Sequence, residues 1–386
     1  MIKSNPFTPQ SGWEPKSFQG RKNHIDNFKK NIKNILLTDR PNHMVILGDW
    51  GIGKTSLLKL FKKIAQKEGL LTTFCAIPKF TEKDLTADVV NLIIEEILKG
   101  FPFIKGMDKL MEEIEGIGIS IAGFGGQVTR KKKQGSPQLL LTDVLMRLWK
   151  YLDTKLAIVI IDDIQNFSMI PQVLDILRLV LSREEILVKT NYLFILSSTS
   201  HGWNDFIDKH DPIGRFFRKR GKIQPLNKEE TKKVIAETLK NTEVKFSKEI
   251  IELAYSSTMG HPYELQVLCS NLYESQIKGV VSKRQWPTVF NKTLYDLGED
   301  YFDSLFRRAS EREETILQVL SKDKKEMSIP EIQNSISKTN KLYPAKDVRL
   351  YIYRLLTKEL VKQQGKGKYQ IVDNMFREYL INLSLQ

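Results

Sequence analysis

Cysteine is scarce: Cys75 and Cys269 are the two in 386 residues, far apart and outside any paired motif. That excludes a disulfide scaffold and fits a reducing, cytoplasmic setting. The five histidines, His24, His43, His201, His210 and His261, have no metal-ligand spacing with each other or with the cysteines. Glycine (22) and proline (14) are too few for a collagen-like chain. No stretch approaches the ~20 apolar residues of a membrane span, so no membrane association is expected. The opening segment MIKSNPFTPQSGWEPK lacks an apolar core and does not read as a signal peptide. Neither a G-x-S-x-G elbow nor a Cys–His nucleophile signature is found, and there is no internal repeat or low-complexity tract.

What remains is the composition of a folded protein, with 41% hydrophobic and 27% charged residues. The length suggests roughly two or three domains. Sixty Lys and Arg against 46 Asp and Glu leave a net charge of +14. Such a surplus attracts polyanions, nucleic acid first among them, with general solvation as the alternative.

After a Pro/Gly/Ser-rich arm, the chain alternates two kinds of apolar pattern. Phe28, Ile32, Ile35 and Leu36 have helical spacing. MVIL (44–47) is a short apolar run that reads as a buried parallel strand. Helix 56–67, strand 70–77 and helix 84–98 follow. Residues 116–128 are Gly-dense and read as a hairpin or loop, followed by the basic run Arg130-Lys131-Lys132-Lys133. Helix 139–152, strand 156–161, helix 171–184 and strand 191–196 complete the alternation, which means a parallel α/β sheet. From 226 to about 297 only helical patterns appear, and a third unit runs from 298 to 386. The expected architecture is an α/β domain with its arm (1–225), an all-α lid (226–297) and a C-terminal domain.

Gly48-Asp49-Trp50-Gly51-Ile52-Gly53-Lys54-Thr55 matches G-x-x-x-x-G-K-[ST], between a strand and a helix. Glycines permit positive φ, so that consecutive N–H groups line a concavity, and the helix N-terminus that begins near Ser56 adds its dipole. Lys54 is expected to reach the β- and γ-phosphates of ATP, and Thr55 to hold Mg²⁺. The second half of such a site is an acid closing a neighbouring strand. Ile160-Ile161-Asp162-Asp163 supplies it, with Asp162 on Mg²⁺ and Asp163 orienting or deprotonating water. The alternative for Asp163 is a helix N-cap.

The order of motifs resembles the AAA+ branch that includes archaeal and eukaryotic replication-initiator ATPases, and also the STAND-class signalling ATPases. It is carried by Phe18-Gln19-Gly20-Arg21, the Gly48–Thr55 loop, IIDDIQ (160–165), LSSTS (196–200), PIGRFF (212–217) and GHPYEL (260–265). The resemblance implies that Phe18, Gly20 and Arg21 lie against adenine, largely through backbone. It implies that Ser198, with Thr199 next, senses the γ-phosphate, with a helix cap as the alternative. It implies that Arg215, or Arg218, reaches a neighbouring subunit's γ-phosphate, with a basic surface loop as the alternative. Gly260-His261-Pro262 keeps the family's lid turn, with Pro262 opening a helix near the nucleotide and His261 either touching the base or capping. Tyr263 and Glu264 stand where relatives carry a phosphate-sensing Arg, which leans towards the STAND group. Asp163 replaces a frequent Glu, so slow hydrolysis is expected.

Residues 312–386 read as helix, helix, helix, hairpin, helix, with Gly365-Lys366-Gly367 at the hairpin tip; this looks like a winged helix. Such a fold lays its third helix in the DNA major groove and its wing on the backbone. Between Lys341 and Gln370 stand eight Lys or Arg against Asp347 and Glu359. Lys346, Arg349 and Tyr353 share a face away from the apolar stripe, and Lys366 and Lys368 occupy the tip. The expectation is therefore an ATP- and Mg²⁺-dependent switch that binds double-stranded DNA and self-associates with ATP. The alternatives are a STAND-type signalling ATPase acting through a protein partner, with no effector or sensor region in this sequence, and a DNA-binding regulator with a structural ATP site.

Overall fold

The computed structural model describes residues 4–10, 15–81, 83–101, 105–116, 119–121, 128–130, 136–209, 212–323, 325–338 and 343–384. The chain forms two compact units. One is Arg21–Gln224; the other joins Met1–Gly20 to Pro225–Gln386. The N-terminal arm, which the sequence reading joins to the α/β domain, thus clusters with the C-terminal half.

In the first unit, α1 (Lys22–Thr38) precedes β1 (Met44–Leu47), α2 (Lys54–Lys67), β2 (Leu71–Ala76), α3 (Thr86–Lys99) and α4 (Met107–Gly116). Next come the strands β3 (Ile119–Ile121) and β4 (Val128–Arg130), then α5 (Pro137–Tyr151), β5 (Ala157–Asp162), α6 (Gln172–Leu181), α7 (Glu184–Lys189) and β6 (Tyr192–Ser198). The unit closes with α8 (Ser200–Lys209), α9 (Pro212–Phe216) and β7 (Arg218–Lys222).

The sheet is parallel, in the order β2-β5-β6-β1-β7. Every residue of β1, β5 and β6 is buried, which is why these strands read as unbroken apolar runs. One sheet face, with Val45, Val159, Ile161 and Leu196, packs on apolar residues of α3, α5 and α6. On α1 and α2, Phe28 stacks on Phe61 with centroids 4.1 Å apart. Because β6 lies between β1 and β5, the phosphate loop and the acid strand end at the same sheet edge without being neighbours. β3 and β4, within and just beyond the Gly-dense segment, pair antiparallel. Its tip and Lys131–Lys133 lie outside the described residues. The stretch that reads as a basic loop contains an edge strand, β7, whose register on β1 shifts between Val45 and Leu47.

The second unit holds α10 (Lys228–Leu239), β8 (Lys245–Phe246), α11 (Lys248–Thr258), α12 (Pro262–Glu274), β9 (Val280–Val281), α13 (Trp286–Leu297) and α14 (Asp303–Phe306). The arm packs here. Phe7 stacks on Phe246 at 6.0 Å, and Asn5 donates to the Ser270 carbonyl at 3.1 Å. Beyond lie α15 (Glu311–Lys322), β10 (Met327–Ser328), α16 (Ile329–Ser337), α17 (Ala345–Thr357), β11 (Val361–Gln364), β12 (Lys368–Ile371) and α18 (Asn374–Leu383). β10, β12 and β11 form a three-stranded antiparallel sheet over a core that includes Ile316, Ile332, Val348, Ile352 and Phe376. No helix among the described residues is long and apolar enough to cross a membrane.

Candidate nucleotide site

The loop between β1 and α2 turns at Gly51 (φ 69°) and Gly53 (φ 93°). A Cβ on Gly53 would meet nothing within 4 Å, so glycine is needed there for its left-handed φ and not for space. Ile52 is buried, and Trp50 is partly exposed. Asp49 is held by Lys222 of β7, Nζ to Oδ1 2.9 Å. Arg21 is buried and braces the loop from behind: its guanidinium donates to the carbonyls of Ile52 (3.1 Å) and Gln224 (2.9 Å). Its side chain supports the phosphate loop.

Lys54 opens α2 and is buried. Its Nζ donates to the Asp49 carbonyl (3.2 Å) and lies 4.0 Å from Asp163 Oδ1. The next residue reaches the acid strand: Thr55 Oγ1 donates to Asp162 Oδ2 at 2.6 Å. Asp162 also accepts from the Ser197 hydroxyl. The register of β5 on β6 pairs Ile161 with Leu196, which places Asp162 level with Ser197. Burial and then the neighbouring Asp163 push the Asp162 carboxyl above its usual range, opposed by the Ser197 and Thr55 hydroxyls and by Lys54. A buried carboxylate beside a hydroxyl is a hard-oxygen donor set that fits Mg²⁺.

Asp163 is left-handed (φ 57°, ψ 47°) at the N-cap position of a 3₁₀ turn, Ile164–Phe167, and its side chain makes no capping bond. Its N–H donates to Ser197 Oγ (2.9 Å), and its carboxylate accepts from Gln165 Nε2 (2.9 Å). The Asp163 side chain is 41% exposed, so water can reach it.

Ser198 is buried, its hydroxyl without a hydrogen-bond partner among the described residues, while its carbonyl accepts from the Gly48 N–H at 3.1 Å. Thr199 caps the helix that follows: Oγ1 accepts from the Gly202 N–H at 3.0 Å. The cap alternative thus belongs to Thr199 and not to Ser198. Gln165 ends IIDDIQ (160–165) and Ser197 lies in LSSTS (196–200), but residue type and spacing alone assign neither a role.

Arg215 on α9 and Arg218 on β7 are exposed at the β7 edge. Ser56 is half-buried in the first turn of α2. Phe18, Gly20 and Pro262 belong to the second unit, where Pro262 is the first residue of α12 and His261 its N-cap. Tyr263 donates to Asp300 Oδ2 (2.8 Å), and Glu264 is buried. On α17, Lys346, Arg349 and Tyr353 are exposed opposite buried Val348, Ile352 and Leu355; Lys366 and Lys368 are exposed on the β11–β12 hairpin. Lys358 is not free for an outside anion: its Nζ donates to buried Glu313 (2.6 Å) and to the Arg308 carbonyl (2.7 Å).

A family model, the KAP family P-loop domain, matches residues 21–259. The fold is similar to the Walker-type ATPase of Pyrococcus abyssi (TM-score 0.65, 16% identity, 97% of this chain and 99% of that one). It is also similar to the ORC2 protein of Aeropyrum pernix in its ADPNP–ADP complexes (0.63, 14%, 97% and 96%). A further match is the ORC1 protein of Aeropyrum pernix in complex with DNA (0.51, 13%, 98% and 96%). These likenesses show a P-loop fold shared with those proteins. Comparison with curated protein sequences gives no match.

Proposed function

The chain belongs to the KAP P-loop family, and from that premise we propose that it is a Mg²⁺-dependent ATPase switch that binds duplex DNA. The observation that carries the nucleotide half is the Thr55–Asp162 bond of 2.6 Å with Lys54 and Asp163 alongside. Thr55 and Asp162 are the residues that would hold Mg²⁺, which supplies positive charge against the β- and γ-phosphates. The loop N–H groups and the α2 dipole would bind phosphate oxygens, and Lys54 would exchange Asp163 for the γ-phosphate. Asp163, freed from Lys54 and exposed, would accept the proton of the attacking water as its oxygen bonds to the γ-phosphorus and the bond to ADP breaks. Ser197 holds Asp162 in register throughout.

The DNA half rests on the second unit. We read α15, β10, α16, α17 and the β11–β12 hairpin as a winged helix, in which α17 would enter the major groove. Lys346 and Arg349 would pair with phosphates or base edges beside Tyr353, and Lys366 and Lys368 would grip the backbone. The A. pernix ORC1 protein, similar in fold, was solved in complex with DNA. Arg215 is our candidate for a residue supplied to a neighbour's γ-phosphate, which would make assembly depend on ATP.

A second reading, a STAND-type switch working through a protein partner, is favoured by the lid turn. Tyr263, which donates to Asp300, and buried Glu264 have no cationic form to offer phosphate.

ATP turnover by the full chain, with and without duplex DNA at low salt, tests the proposal. Asp163→Asn should keep nucleotide binding and lose about a hundredfold or more in kcat. Lys54→Ala should lose nucleotide binding. Stimulation by DNA supports the first reading; tightly held ADP with no response to DNA supports the second. Unchanged turnover in Asp163→Asn removes Asp163 as the base, and full nucleotide binding by Lys54→Ala overturns both readings.

A further inference from the structure

We propose that Gln165 is a positioning residue that holds the Asp163 carboxylate and ties it to the end of β6, an inference that rests on the reading of Asp163 as the group that takes the proton from water. The Gln165 amide stands between two fixed groups. Nε2 donates to Asp163 Oδ1 at 2.9 Å, and Oε1 accepts from the Thr199 N–H at 3.2 Å. A carboxylate can only accept and a backbone N–H can only donate, so one rotation of the amide satisfies both and its flip satisfies neither.

The surroundings hold this arrangement in place. Asp163 has a left-handed backbone, with its N–H on Ser197 Oγ. Residue 202 is glycine beside the Gln165 stem: a Cβ there would lie 2.5 Å from Gln165 Cβ and 3.1 Å from Thr199 Oγ1. The absence of that methyl leaves room for the Gln165 stem at this approach. Thr199 meanwhile caps α8 through Gly202. One short path therefore runs from the end of β6, through Gln165, to the exposed carboxylate 4.0 Å from Lys54. A shift of the strand end that breaks the 3.2 Å contact releases Asp163. Position of the β6 end, where Ser198 and Thr199 lie, is thereby converted into orientation of the base.

The test is a double-mutant cycle on the full chain. Gln165→Met keeps length and bulk but removes both hydrogen bonds. A hydrogen bond to a charged group is lost, so kcat should fall about ten- to a hundredfold, while KM for ATP and affinity for ADP stay within about twofold. In an Asp163→Asn background, Gln165→Met should cost nothing further in turnover. Gln165→Glu keeps an acceptor for Thr199 but sets a like charge against Asp163; it should lower kcat similarly, and it carries the same cycle if Gln165→Met fails to fold. An unchanged kcat, or an equal loss in both backgrounds, overturns the positioning role and leaves the ATPase reading intact. Turnover that survives Asp163→Asn removes the base and this proposal with it.

Discussion

Glu264 shows what burial does to one side chain. It sits in the first turn of α12, its side chain 3% exposed, with its carboxyl against that of Asp373, which caps α18 by accepting the Phe376 N–H at 2.8 Å. Burial, then the Asp373 charge and hydrogen bond, drive the Glu264 carboxyl well above its usual 4.5. The folded state binds this proton more tightly than the unfolded chain does. Its stabilisation is complete below 4.5 and declines as pH rises above that value. Glu264→Gln, a neutral donor at every pH, should raise the melting temperature at pH 8 and leave it unchanged at pH 4. A gain of equal size at both pH values would contradict this. Legibility at this scale was uneven. Lys54, Thr55 and Asp162 are announced by spacing along the chain. Ser197 and Gln165 are not, because their roles depend on which residue a parallel register sets level with Asp162.

Among the elements, the apolar strands and amphipathic helices were legible because burial writes period and run length into the residues. β7 was not: Arg218–Lys222 is basic, and an edge strand needs no apolar face to pair through its backbone. The turn before α12 is set by close approach. Gly260 has φ 76°, and a Cβ there would lie 1.8 Å from the Leu226 carbonyl oxygen, while the Leu226 N–H donates to the Gly260 carbonyl at 2.9 Å. Gly260→Ala combines a left-handed backbone with a backbone clash and should cost about 2 kcal/mol or more. The midpoint of urea unfolding reports it; an unchanged midpoint would mean that the turn relaxes freely.

For the whole molecule, the net charge of +14 matters through where it is exposed. Lys358 is consumed by Glu313, whereas Lys346, Arg349, Lys366 and Lys368 face solvent. If α17 and the hairpin hold DNA, each phosphate contact removed lowers the slope of log K against log salt by about 1. Replacing Lys346, Lys366 and Lys368 together by Ala should therefore flatten that slope by about 3. A parallel slope would move the DNA contact elsewhere on the chain.

The sequence by itself determined the phosphate loop, the acid pair, the parallel α/β alternation and the mixed helix–hairpin pattern near its C-terminal end. Each is a local code, in which glycine φ, strand burial or helical period acts within a few residues. Tertiary structure alone decided that Ser197 meets Asp162, that Thr199 does the capping, that Gln165 joins it to Asp163, and that the arm packs on Phe246 and on Ser270 of α12. The Ser197–Asp162, Gln165–Thr199 and Phe7–Phe246 pairings span about 30 residues or more and follow from strand register and close packing, which no local pattern specifies.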